Sequence, residues 1–376
     1  MRVLHIYSGN FYGGVESFLV TLARWRALCP AMDPHFALAF DGKLYRDLLA
    51  AGVQVHLLGA VRVSRPITVF QARRALKRLL ASEPFDLVIC HSPWPHSLFA
   101  PLVRSAGVPL VFWLHDATGG RHWSERWARR TPPDLAVANS EFTLGTLHHI
   151  FKNVPAIVIH SPVGTLAASW TPEELAEARH ALGTAPGEVA IIQPSRMEEW
   201  KGHRLHLEAL SLLKDVPNWV CWMVGRPQRP YEERYYRALQ DDAERYGIAQ
   251  RVRFPGWVPD LHQLLAAAQI HCQPNTGPEP LGLTFLEAMA AKLPVVTTAI
   301  GGALEIVGAD SGILVPANDP RALADALEAL IRDPARRSAL GAGGPGRVRQ
   351  LCDPETQLNK LAAALGSIAS RSQAAA

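Results

Sequence analysis

The chain has 376 residues, a hydrophobic share of 48% and a formal net charge of +4. This length predicts two domains, and no apolar run approaches the roughly 18 residues that span a bilayer. Five scattered cysteines without a Cys-x-x-Cys pair predict reduced thiols and exclude a disulfide framework or a cysteine zinc site. Because residues 1–7 have the pattern of a buried strand instead of a signal peptide, we expect a cytoplasmic protein.

The first half alternates short apolar runs with amphipathic stretches. The runs predict strands over residues 2–7, 34–39, 53–58, 86–90, 109–114, 134–138 and 156–160. The stretches between them predict helices, for example over 15–28 and 141–150. This alternation is typical of a parallel sheet with crossover helices. Ligands bind beyond the carboxyl ends of such strands, so the residues that follow each strand are the candidates for function.

Several residues that follow these strands suit ligand binding. Gly13 and Gly14 lie between the first strand and a helix, where backbone without side chains can approach a phosphate; an ordinary turn is the alternative. His91 follows one strand, and the pair His115 and Asp116 follows the next. A lone histidine at such a place, His91 above all, is more often a hydrogen-bonded loop residue than a catalyst.

The first half is also the basic half. Residues 1–166 contain 17 Lys and Arg against 10 Asp and Glu, whereas the remaining 210 residues contain 21 against 24. One cluster lies on a predicted helix and includes no acid: Arg62, Arg65, Arg73, Arg74, Lys77 and Arg78. A second cluster mixes cations with tryptophan: Arg121, His122, Trp123, Arg126, Trp127, Arg129 and Arg130. Such faces can rest on an anionic membrane or hold an anionic acceptor, and a solvated helix face is the alternative.

The alternation lapses over a segment rich in proline and glycine, in which residues 171–178 predict one polar helical piece with a good N-cap, and then resumes. We therefore divide the chain into a first domain (1–165), a linker (166–186), a second domain (187–354) and a C-terminal helix (355–376) that could return to the first domain. The second series of strands is predicted at 188–193, 218–224, 251–254, 268–272 and 294–298. Its helices are predicted at 203–213, 230–246, 260–267, 283–291 and 320–332, with a last helix at 355–370.

Two cations follow the first strand of the second half. Arg196 and Lys201 lie between that strand and a helix, where a planar guanidinium and an ammonium can neutralise a diphosphate. Surface ion pairs with Glu198 and Glu199 are the alternative. Further along, Trp257 follows a glycine turn and either receives a flat base or packs in the core.

The most informative pair is Glu279 and Glu287, separated by seven residues. A helix that begins near Gly282 keeps Glu287 inside it and leaves Glu279 on the preceding loop, beside a helix N-terminus that attracts anions. A carboxylate can then accept hydrogen bonds from the hydroxyls of a ligand whose phosphates meet the free amides, which suits a nucleotide-sugar. Solvated helix charges are the alternative.

Together these motifs resemble glycosyltransferase family 4, the retaining enzymes of the GT-B fold. The motifs are Gly13-Gly14-x-Glu16, Asn139-Ser140, Arg196-x4-Lys201-Gly202, Gly256-x-Val258 and Glu279-x7-Glu287. The resemblance covers nearly the whole chain. It implies an α/β protein of GT-B architecture, in which two Rossmann-like parallel-sheet domains face each other across a cleft. The second domain would hold the nucleotide-sugar, and the first would shape the acceptor site.

The resemblance also implies residue roles. It assigns donor binding to Gly13, Gly14, Arg196, Lys201, Val258, Glu279, Gly282, Leu283, Thr284 and Glu287. Within this set Arg196 and Lys201 would bind the diphosphate, and Glu287 the ribose hydroxyls. Glu279 would bind a hydroxyl of the transferred sugar. The implied catalytic set is Glu279, His115, Arg196 and Lys201, and the implied acceptor set is His115, Asp116 and Arg121.

The chain departs from the family pattern at two places. The turn before the lysine has Ser195 and Met197 around the arginine where Gly-Arg-Leu is usual, and His160-Ser161-Pro162 stands near the customary Pro-Asn-Gly-Val. No Asp-x-Asp pair is present, so we predict no metal and no cofactor. With Glu279 assigned to binding, no carboxylate nucleophile is evident, which favours front-side attack with retention.

The expected function is therefore transfer of a sugar from a nucleotide-sugar donor to a sugar, polysaccharide or lipid-linked acceptor in cell-surface polysaccharide or glycolipid assembly. An anionic membrane surface is a candidate partner of the basic half, which would place the protein peripherally at the inner membrane face. Nucleic acid is not an expected partner. The alternatives are a nucleotide-sugar epimerase on the same fold and a noncatalytic nucleotide-sugar binder.

Overall fold

The computed structural model describes residues 1–10, 12–164 and 170–375, with side chains as far as residue 371. The chain forms two compact units: Met1–Pro162 with Cys352–Ala376, and Val163–Leu351. Within the described residues, no helix is both long enough and apolar enough to cross a membrane. Each unit is a parallel α/β layer structure, which confirms the predicted fold class.

The first unit is built on a parallel sheet. Its strands in the described residues are β1 (Arg2–Tyr7), β2 (Asp33–Leu38), β3 (Val55–Leu57), β4 (Leu87–His91), β5 (Leu110–Leu114), β6 (Leu135–Ala138) and β7 (Ala156–Val158). Their spatial order is β3-β2-β1-β4-β5-β6-β7. The order reverses direction between β1 and β4, and ligands of such sheets bind at this switch point.

Helices cover both faces of this sheet. They are α1 (Gly14–Arg24), α2 (Lys43–Ala50), α3 (Pro66–Ser82), α4 (Pro93–Ser105), α5 (Trp123–Ala128) and α6 (Glu141–Thr146). Phe18 and Leu22 of α1 pack on one face with Ile89 and Trp113, whereas Leu76 of α3 and helix α4 pack on the other. The central strands are buried on both faces, which explains their continuous apolar runs.

The C-terminal helix belongs to this first unit. Helix α15 (Pro354–Ala375) buries Leu358, Leu361 and Leu365 in the same core as Phe18. The backbone carbonyl of Leu358 lies 3.7 Å from the sulfur of Cys29. Burial of three leucines on one helical face gives the final segment of the chain a fixed place.

The second unit repeats the plan with a shorter sheet. Its strands in the described residues are β8 (Val189–Pro194), β9 (Trp219–Val224), β10 (Val252–Gly256), β11 (Ile270–Gln273), β12 (Val295–Thr298) and β13 (Gly312–Val315). Its helices are α7 (Pro172–Ala181), α8 (His203–Ser211), α9 (Pro230–Arg245), α10 (Leu261–Ala267), α11 (Leu283–Ala290), α12 (Ala303–Ile306), α13 (Pro320–Arg332) and α14 (Pro334–Cys352). The strand order β10-β9-β8-β11-β12-β13 places the switch point between β8 and β11.

The linker predicted at 166–186 contains α7, where the sequence predicts a helical piece, and its Arg179 donates hydrogen bonds to the backbone of Ala267 and Glu188 in the second unit; residues 165–169 lie outside the described chain. Strand β13 and the short helix α12 were not predicted. Helix α14 was not predicted, because Pro345 and a run of glycines argue against a helix. A Cβ atom on Gly343 or Gly344 would overlap the carbonyl oxygen of Asp310 or Met289, so these glycines permit close packing of α14.

Candidate functional site

The switch point of the second sheet gathers most of the predicted donor residues. Arg196 follows β8, and Glu279 follows β11, which is the neighbouring strand. Lys201 ends a 3-10 turn that leads into α8. The carboxyl ends of adjacent parallel strands meet at one edge of the sheet, so side chains distant in sequence become neighbours there.

Lys201 and Glu279 form a buried ion pair. The lysine Nζ lies 2.7 Å from Oε2 of Glu279, and the two side chains are only 12% and 10% exposed. The same ammonium lies 4.0 Å from the centroid of the Trp200 ring. Lys201 therefore pairs with the glutamate that sequence motifs singled out, and not with Glu198 or Glu199. An ammonium has three donors, so further donors remain for an anionic ligand.

Two amide side chains hold the Glu279 carboxylate in place. Gln273 donates from Nε2 to Oε2 of Glu279 over 3.1 Å, and Asn275 donates from Nδ2 to the same oxygen over 2.8 Å. Gln273 also donates to Oδ1 of Asn275. Neither amide was among the predicted site residues. The sequence signal that could have found them is a position at the carboxyl end of a predicted strand, which also singled out Arg196 and Lys201. Strand β11 ends at Gln273.

The backbone around Lys201 is held equally firmly. Gln193 donates to the carbonyl of Lys201 over 2.9 Å and itself contacts Nδ1 of His206 at 2.8 Å. Gly202 follows with a φ of +74°, and a Cβ atom there would overlap the carbonyl oxygen of Pro274. The glycine of the Lys201-Gly202 motif is therefore required by the fold.

Arg196 has a different environment from Lys201. Its guanidinium Nη1 lies 3.0 Å from Oε1 of Glu198, and its side chain is 42% exposed. Arg196 therefore pairs with Glu198, one of the two glutamates proposed in the alternative of a surface ion pair. The guanidinium is the exposed member of this pair, since the Glu198 side chain is 13% exposed, so Arg196 remains accessible to an anionic ligand.

Helix α11 begins at the predicted place. Gly282 caps it with a φ of +94°, where a Cβ atom would overlap the ring of Phe285. The amides of the first helical residues, Leu283 and Thr284, have no partner within the helix and carry the positive end of its dipole. Thr284 lies in reach of Gln273, with 3.5 Å between the hydroxyl and the amide oxygen.

Glu287 lies on the second turn of α11 and retains partial exposure. Burial in the surrounding protein nevertheless raises the pKa of its carboxyl group to about 7. The group is therefore half protonated near neutral pH. Hydrogen bonds from ligand hydroxyls would stabilise the ionised form and lower this pKa.

The turn after β10 offers an exposed aromatic ring. Gly256 ends the strand with a φ of +72°, and its carbonyl accepts a hydrogen bond from Gly225 N over 3.0 Å. Trp257 is 55% exposed and lies 5.8 Å from the Arg226 guanidinium. The Trp257 ring therefore does not pack in the core, and its contact with a flat base stays a prediction. Val258 follows it and is half-buried.

In the first unit, Gly13 and Gly14 begin α1 after β1. The Gly13 amide donates to Oε2 of Glu16 over 2.9 Å, which caps the helix. A Cβ atom on Gly14 would meet no described atom within 4 Å. The chain itself therefore leaves open space at Gly14, as close approach of a ligand to the backbone requires.

His115 ends a chain of three buried histidines. Nε2 of His115 lies 2.9 Å from Nδ1 of His91, and Nε2 of His91 lies 2.9 Å from Nδ1 of His5. The three rings come from three adjacent strands: His5 lies within β1, His91 ends β4 and His115 follows β5. Phe18 of α1 covers His91 and His115. Sequence reasoning found His115 and assigned His91 to a hydrogen-bonded structural role, but it did not find His5.

The chain constrains where the ring protons lie. Burial lowers the pKa of His5 and His115 to about 3 and that of His91 well below its usual value, so all three rings are neutral at physiological pH. A neutral imidazole has one N–H, so both hydrogen bonds must run in the same direction. If His115 donated to His91 and His91 to His5, the proton of His5 would lie on Nε2, a buried atom without a described partner. Buried donors without a partner are rarer than buried acceptors without one. The favoured arrangement is therefore that His5 donates to His91 and His91 donates to His115.

This direction leaves the proton of His115 on Nδ1. Among the described residues, that nitrogen makes no hydrogen bond, so it is free to donate to a ligand oxygen. The His115 carbonyl accepts from Asn139 Nδ2 over 3.0 Å, and Thr143 donates to Oδ1 of Asn139 over 2.8 Å. Asn139 of the Asn-Ser motif thus fixes the backbone that carries the histidine. Asp116 and Arg121 follow His115 on the chain, and both are exposed.

One histidine group among the described residues could hold a metal ion, and it lies elsewhere. His35, His56 and Glu83 bring potential ligand atoms within 4.8 Å of one another. His35 lies near the start of β2, and Glu83 precedes β4, so this group occupies the amino-terminal edge of the sheet. His115 lies at the opposite edge. The group therefore has no part in the site described above.

Two family descriptions match the chain, one for each unit. Residues 12–165 match "Glycosyltransferase Family 4", and residues 174–347 match "Glycosyl transferases group 1". The matched ranges together take in every predicted site residue.

Characterised relatives match over nearly their full length. The lipopolysaccharide core biosynthesis mannosyltransferase LpsB of Rhizobium meliloti is 29% identical over 98% of this chain and 99% of its own. The phosphatidyl-myo-inositol mannosyltransferase of Mycobacterium leprae is 28% identical over 92% of this chain and 90% of its own.

Solved structures show the same fold. The Anabaena protein HepE, solved in complex with UDP and glucose, has a TM-score of 0.86 and 24% identity over 98% of this chain and all of its own. WaaG, a glycosyltransferase involved in lipopolysaccharide biosynthesis, has a TM-score of 0.72 and 17% identity over 97% of this chain and 99% of its own.

Proposed function

We infer the reaction of this chain from its family, because the chain belongs to glycosyltransferase family 4. It is a retaining glycosyltransferase that moves a sugar from a nucleotide-sugar donor to an acceptor hydroxyl. The observation that best supports the donor assignment is the buried pair of Lys201 and Glu279 at the switch point of the second sheet. A fixed cation and a fixed carboxylate side by side suit a ligand with both phosphates and hydroxyls.

Each donor residue has a distinct proposed role. Lys201 and Arg196 bind the diphosphate, together with the amides that begin α11 at Gly282, Leu283 and Thr284. Glu279 accepts a hydrogen bond from a hydroxyl of the transferred sugar, since two amides and Lys201 hold it rigidly. Glu287 accepts from the ribose hydroxyls.

The remaining donor positions and the acceptor positions lie on loops. Val258 lies in the turn that would meet the base, beside the exposed ring of Trp257. Gly13 and Gly14 would approach the diphosphate through their backbone. In the first unit, His115 donates from Nδ1 to an oxygen of the donor sugar or the acceptor, and Asp116 and Arg121 flank the acceptor.

We propose front-side attack for the transfer. The bond between the anomeric carbon and the phosphate oxygen breaks with its electron pair leaving on the diphosphate. The acceptor oxygen bonds to the same face of that carbon, and its proton passes to the departing phosphate. Lys201, Arg196 and the α11 amides stabilise the negative charge that develops on the diphosphate. These donors would do so without a metal ion, so addition of a chelator should leave turnover unchanged.

The proposed acceptor is carried by a lipid. Two relatives act, by their names, in lipopolysaccharide core synthesis and on phosphatidyl-myo-inositol. The first half of this chain carries the excess of cations, and such surfaces gain about 1 kcal/mol per Lys or Arg near an anionic membrane. We therefore place the protein peripherally at an anionic membrane face. Binding to anionic vesicles that salt does not weaken, or no binding at all, would contradict this placement.

Thermal stabilisation by UDP, GDP, ADP and their sugar conjugates tests the donor assignment. A ligand at about a hundred times its dissociation constant should stabilise the fold by about 2.7 kcal/mol. We expect one nucleotide to stabilise the wild type and to fail with the double variant Arg196→Ala, Lys201→Ala. The matched control is Arg237→Ala, which removes an exposed arginine whose one ion pair among the described residues is with Glu233.

The outcomes separate transfer from its alternatives. A nucleotide that stabilises the double variant as well as the wild type would contradict the roles of Arg196 and Lys201. Conversion of the sugar-nucleotide without any acceptor would indicate an epimerase. No stabilisation by any nucleotide would favour a protein without transferase activity.

A further inference from the structure

The first unit contains an apolar pocket that the donor chemistry does not use. It lies between α3, α4 and α5 and has a volume of about 830 Å³. That volume falls within the roughly 300–1,000 Å³ typical of small-molecule sites. Val69, Leu98 and Leu102 form its more buried part, and Trp123 and Trp127 line the α5 side. These residues offer hydrocarbon and aromatic surface to a ligand and few polar groups.

The rim of the pocket is cationic on one side. Arg73, Arg74 and Lys77 of α3 line it, and none of the three forms an ion pair within the described chain. Residues 61–78, which include all of α3 up to Arg78, contain no Asp or Glu. The occupant therefore combines an apolar body with a negative charge, as a phosphate-bearing amphiphile does.

The apolar surface around the opening is unusually exposed. Phe70 at the pocket is 65% exposed and Trp127 is 51% exposed, while Ile67 one turn away is 72% exposed. Apolar side chains interleaved with cations on one face are typical of surfaces that meet lipid headgroups. A single acyl chain gives only marginal binding, and one chain together with a polybasic patch gives stable binding. The pocket and its rim supply both elements.

Topology relates the pocket to His115. A crossover helix runs antiparallel to the strand that follows it, so α3 begins at the carboxyl-terminal edge of the sheet, before β4. Val63 and Pro66 at that end of the pocket, and Trp123 after β5, therefore lie towards the edge that carries His115. An amphiphile can extend from this edge into the layer between α3 and α4.

We propose that this pocket holds the hydrocarbon tail of the acceptor, an amphiphile whose phosphate lies against Arg73, Arg74 and Lys77 and whose hydroxyl headgroup extends towards His115. The proposal rests on the proposed function, since it specifies the acceptor of the same transfer. The occupant is the tail of one acceptor molecule and not the bulk membrane, because the apolar surface of the pocket continues inward to Leu98, which is 4% exposed.

Dodecyl phosphate below its micellar concentration is the probe, and calorimetric titration of the full chain is the measurement. We expect saturable binding, with inorganic phosphate at least a hundredfold weaker because it lacks the tail. Leu102→Trp, which fills the pocket, should weaken dodecyl phosphate binding at least tenfold. Leu49→Trp makes the same change at an exposed position of α2, outside the pocket, and should leave the affinity unchanged.

Charge and folding are tested separately. The triple variant Arg73→Gln, Arg74→Gln, Lys77→Gln should lose about a hundredfold in affinity, at roughly fivefold for each cation. Should Leu102→Trp fold poorly, Val63→Trp fills the exposed end of the same pocket.

Three outcomes would overturn the proposal. The first is equal affinity for dodecyl phosphate in the filled variants and the wild type. The second is binding to anionic vesicles with none to the monomeric probe, which would indicate a membrane surface without a tail site. The third is tail binding by a protein that no nucleotide stabilises; this would refute the acceptor role together with the proposed function. The first outcome, combined with nucleotide stabilisation that persists in the filled variants, would refute the pocket alone.

Discussion

Lys201 and His115 both lie beyond the carboxyl end of a strand in a parallel sheet, but Lys201 is charged and ion-paired whereas His115 is neutral. Lys201 lies at the switch point between β8 and β11, whereas His115 follows β5 and is linked through His91 to the switch point between β1 and β4. Lys201 stays paired with a carboxylate that two amides hold. His115 ends a chain of rings that burial keeps neutral. The comparison teaches that one topology supports two kinds of preorganisation, a fixed charge pair and a fixed tautomer.

Removing the carboxylate should give the largest effect. In Glu279→Gln we expect turnover to fall by about 10² to 10³, the range for loss of one preorganised polar contact in an active site. The fold should also lose about 3 kcal/mol, because Lys201 would remain buried without its partner charge. Steady-state kinetics and thermal unfolding measure the two effects.

Glu233→Gln is the matched control for this change. It removes one carboxylate from an exposed pair with Arg237 and should change stability by less than about 1 kcal/mol. If Glu279→Gln behaved like this control in both assays, the second unit would not contain a functional charge pair, and the contrast with His115 would disappear.

Glu287 tests whether a protonated, neutral carboxyl group in the second unit affects stability and nucleotide binding. Its pKa of about 7 lies above its usual value, so the folded state holds the proton more tightly than the unfolded state does. Ionisation therefore destabilises the fold, increasingly as the pH rises from about 4.5 and fully above about 7. Nucleotide affinity should rise with pH through about 7, by about tenfold in all between the protonated and the ionised group, because only the carboxylate accepts two ribose hydroxyls.

The variant Glu287→Gln separates these two consequences. At pH 8 it should unfold at a higher temperature, with a gain of up to about 3 kcal/mol, since each unit of pKa shift corresponds to about 1.4 kcal/mol. It should also bind nucleotide about tenfold more weakly, and this affinity should no longer depend on pH. A variant with wild-type affinity and wild-type pH dependence would exclude Glu287 from the ribose site.

Much of this comparison was accessible from sequence, and the parts that were not share a physical cause. Alternating apolar runs predicted both sheets apart from β13, motifs singled out Lys201 and Glu279, and a position after a strand singled out His115, because each of these signals is local. Gln273 and Asn275 carry no motif, since an amide that orients a carboxylate has no fixed spacing from it. Strand order was needed to place His5 beside His91, because 86 residues separate them.

Packing explains the other missed elements. Helix α14 needs glycines for close approach to its neighbours, and propensity alone therefore argues against it. The sequence could not decide whether Trp257 packs in the core or lies exposed, because that depends on tertiary contacts. Local chemistry was readable from sequence, whereas contacts made by tertiary pairing were not.

The smallest expected effect comes from the middle of the histidine chain. His91→Phe keeps an aromatic ring in the core but removes both hydrogen bonds, so His115 loses the donor that fixes its proton on Nδ1. Both tautomers of His115 then become populated, and turnover should fall about three- to tenfold while nucleotide affinity stays unchanged. Nitrogen-15 NMR of the imidazoles should show one tautomer of His115 in the wild type and a mixture in the variant.

The control for this change is His96→Phe, a buried histidine that contacts only the Thr131 carbonyl by hydrogen bond and lies outside the chain of three. Both variants leave a buried polar group without its partner, so both should lose about 1–3 kcal/mol of stability. Only His91→Phe should slow turnover. If the two variants slowed turnover equally, the histidine chain would serve stability alone, and the neutral site of the first unit would consist of His115 by itself. A pH profile of turnover in Glu287→Gln, measured at saturating donor, with no inflection near 6.5 would support the neutral state, because burial holds the pKa of His115 at about 3.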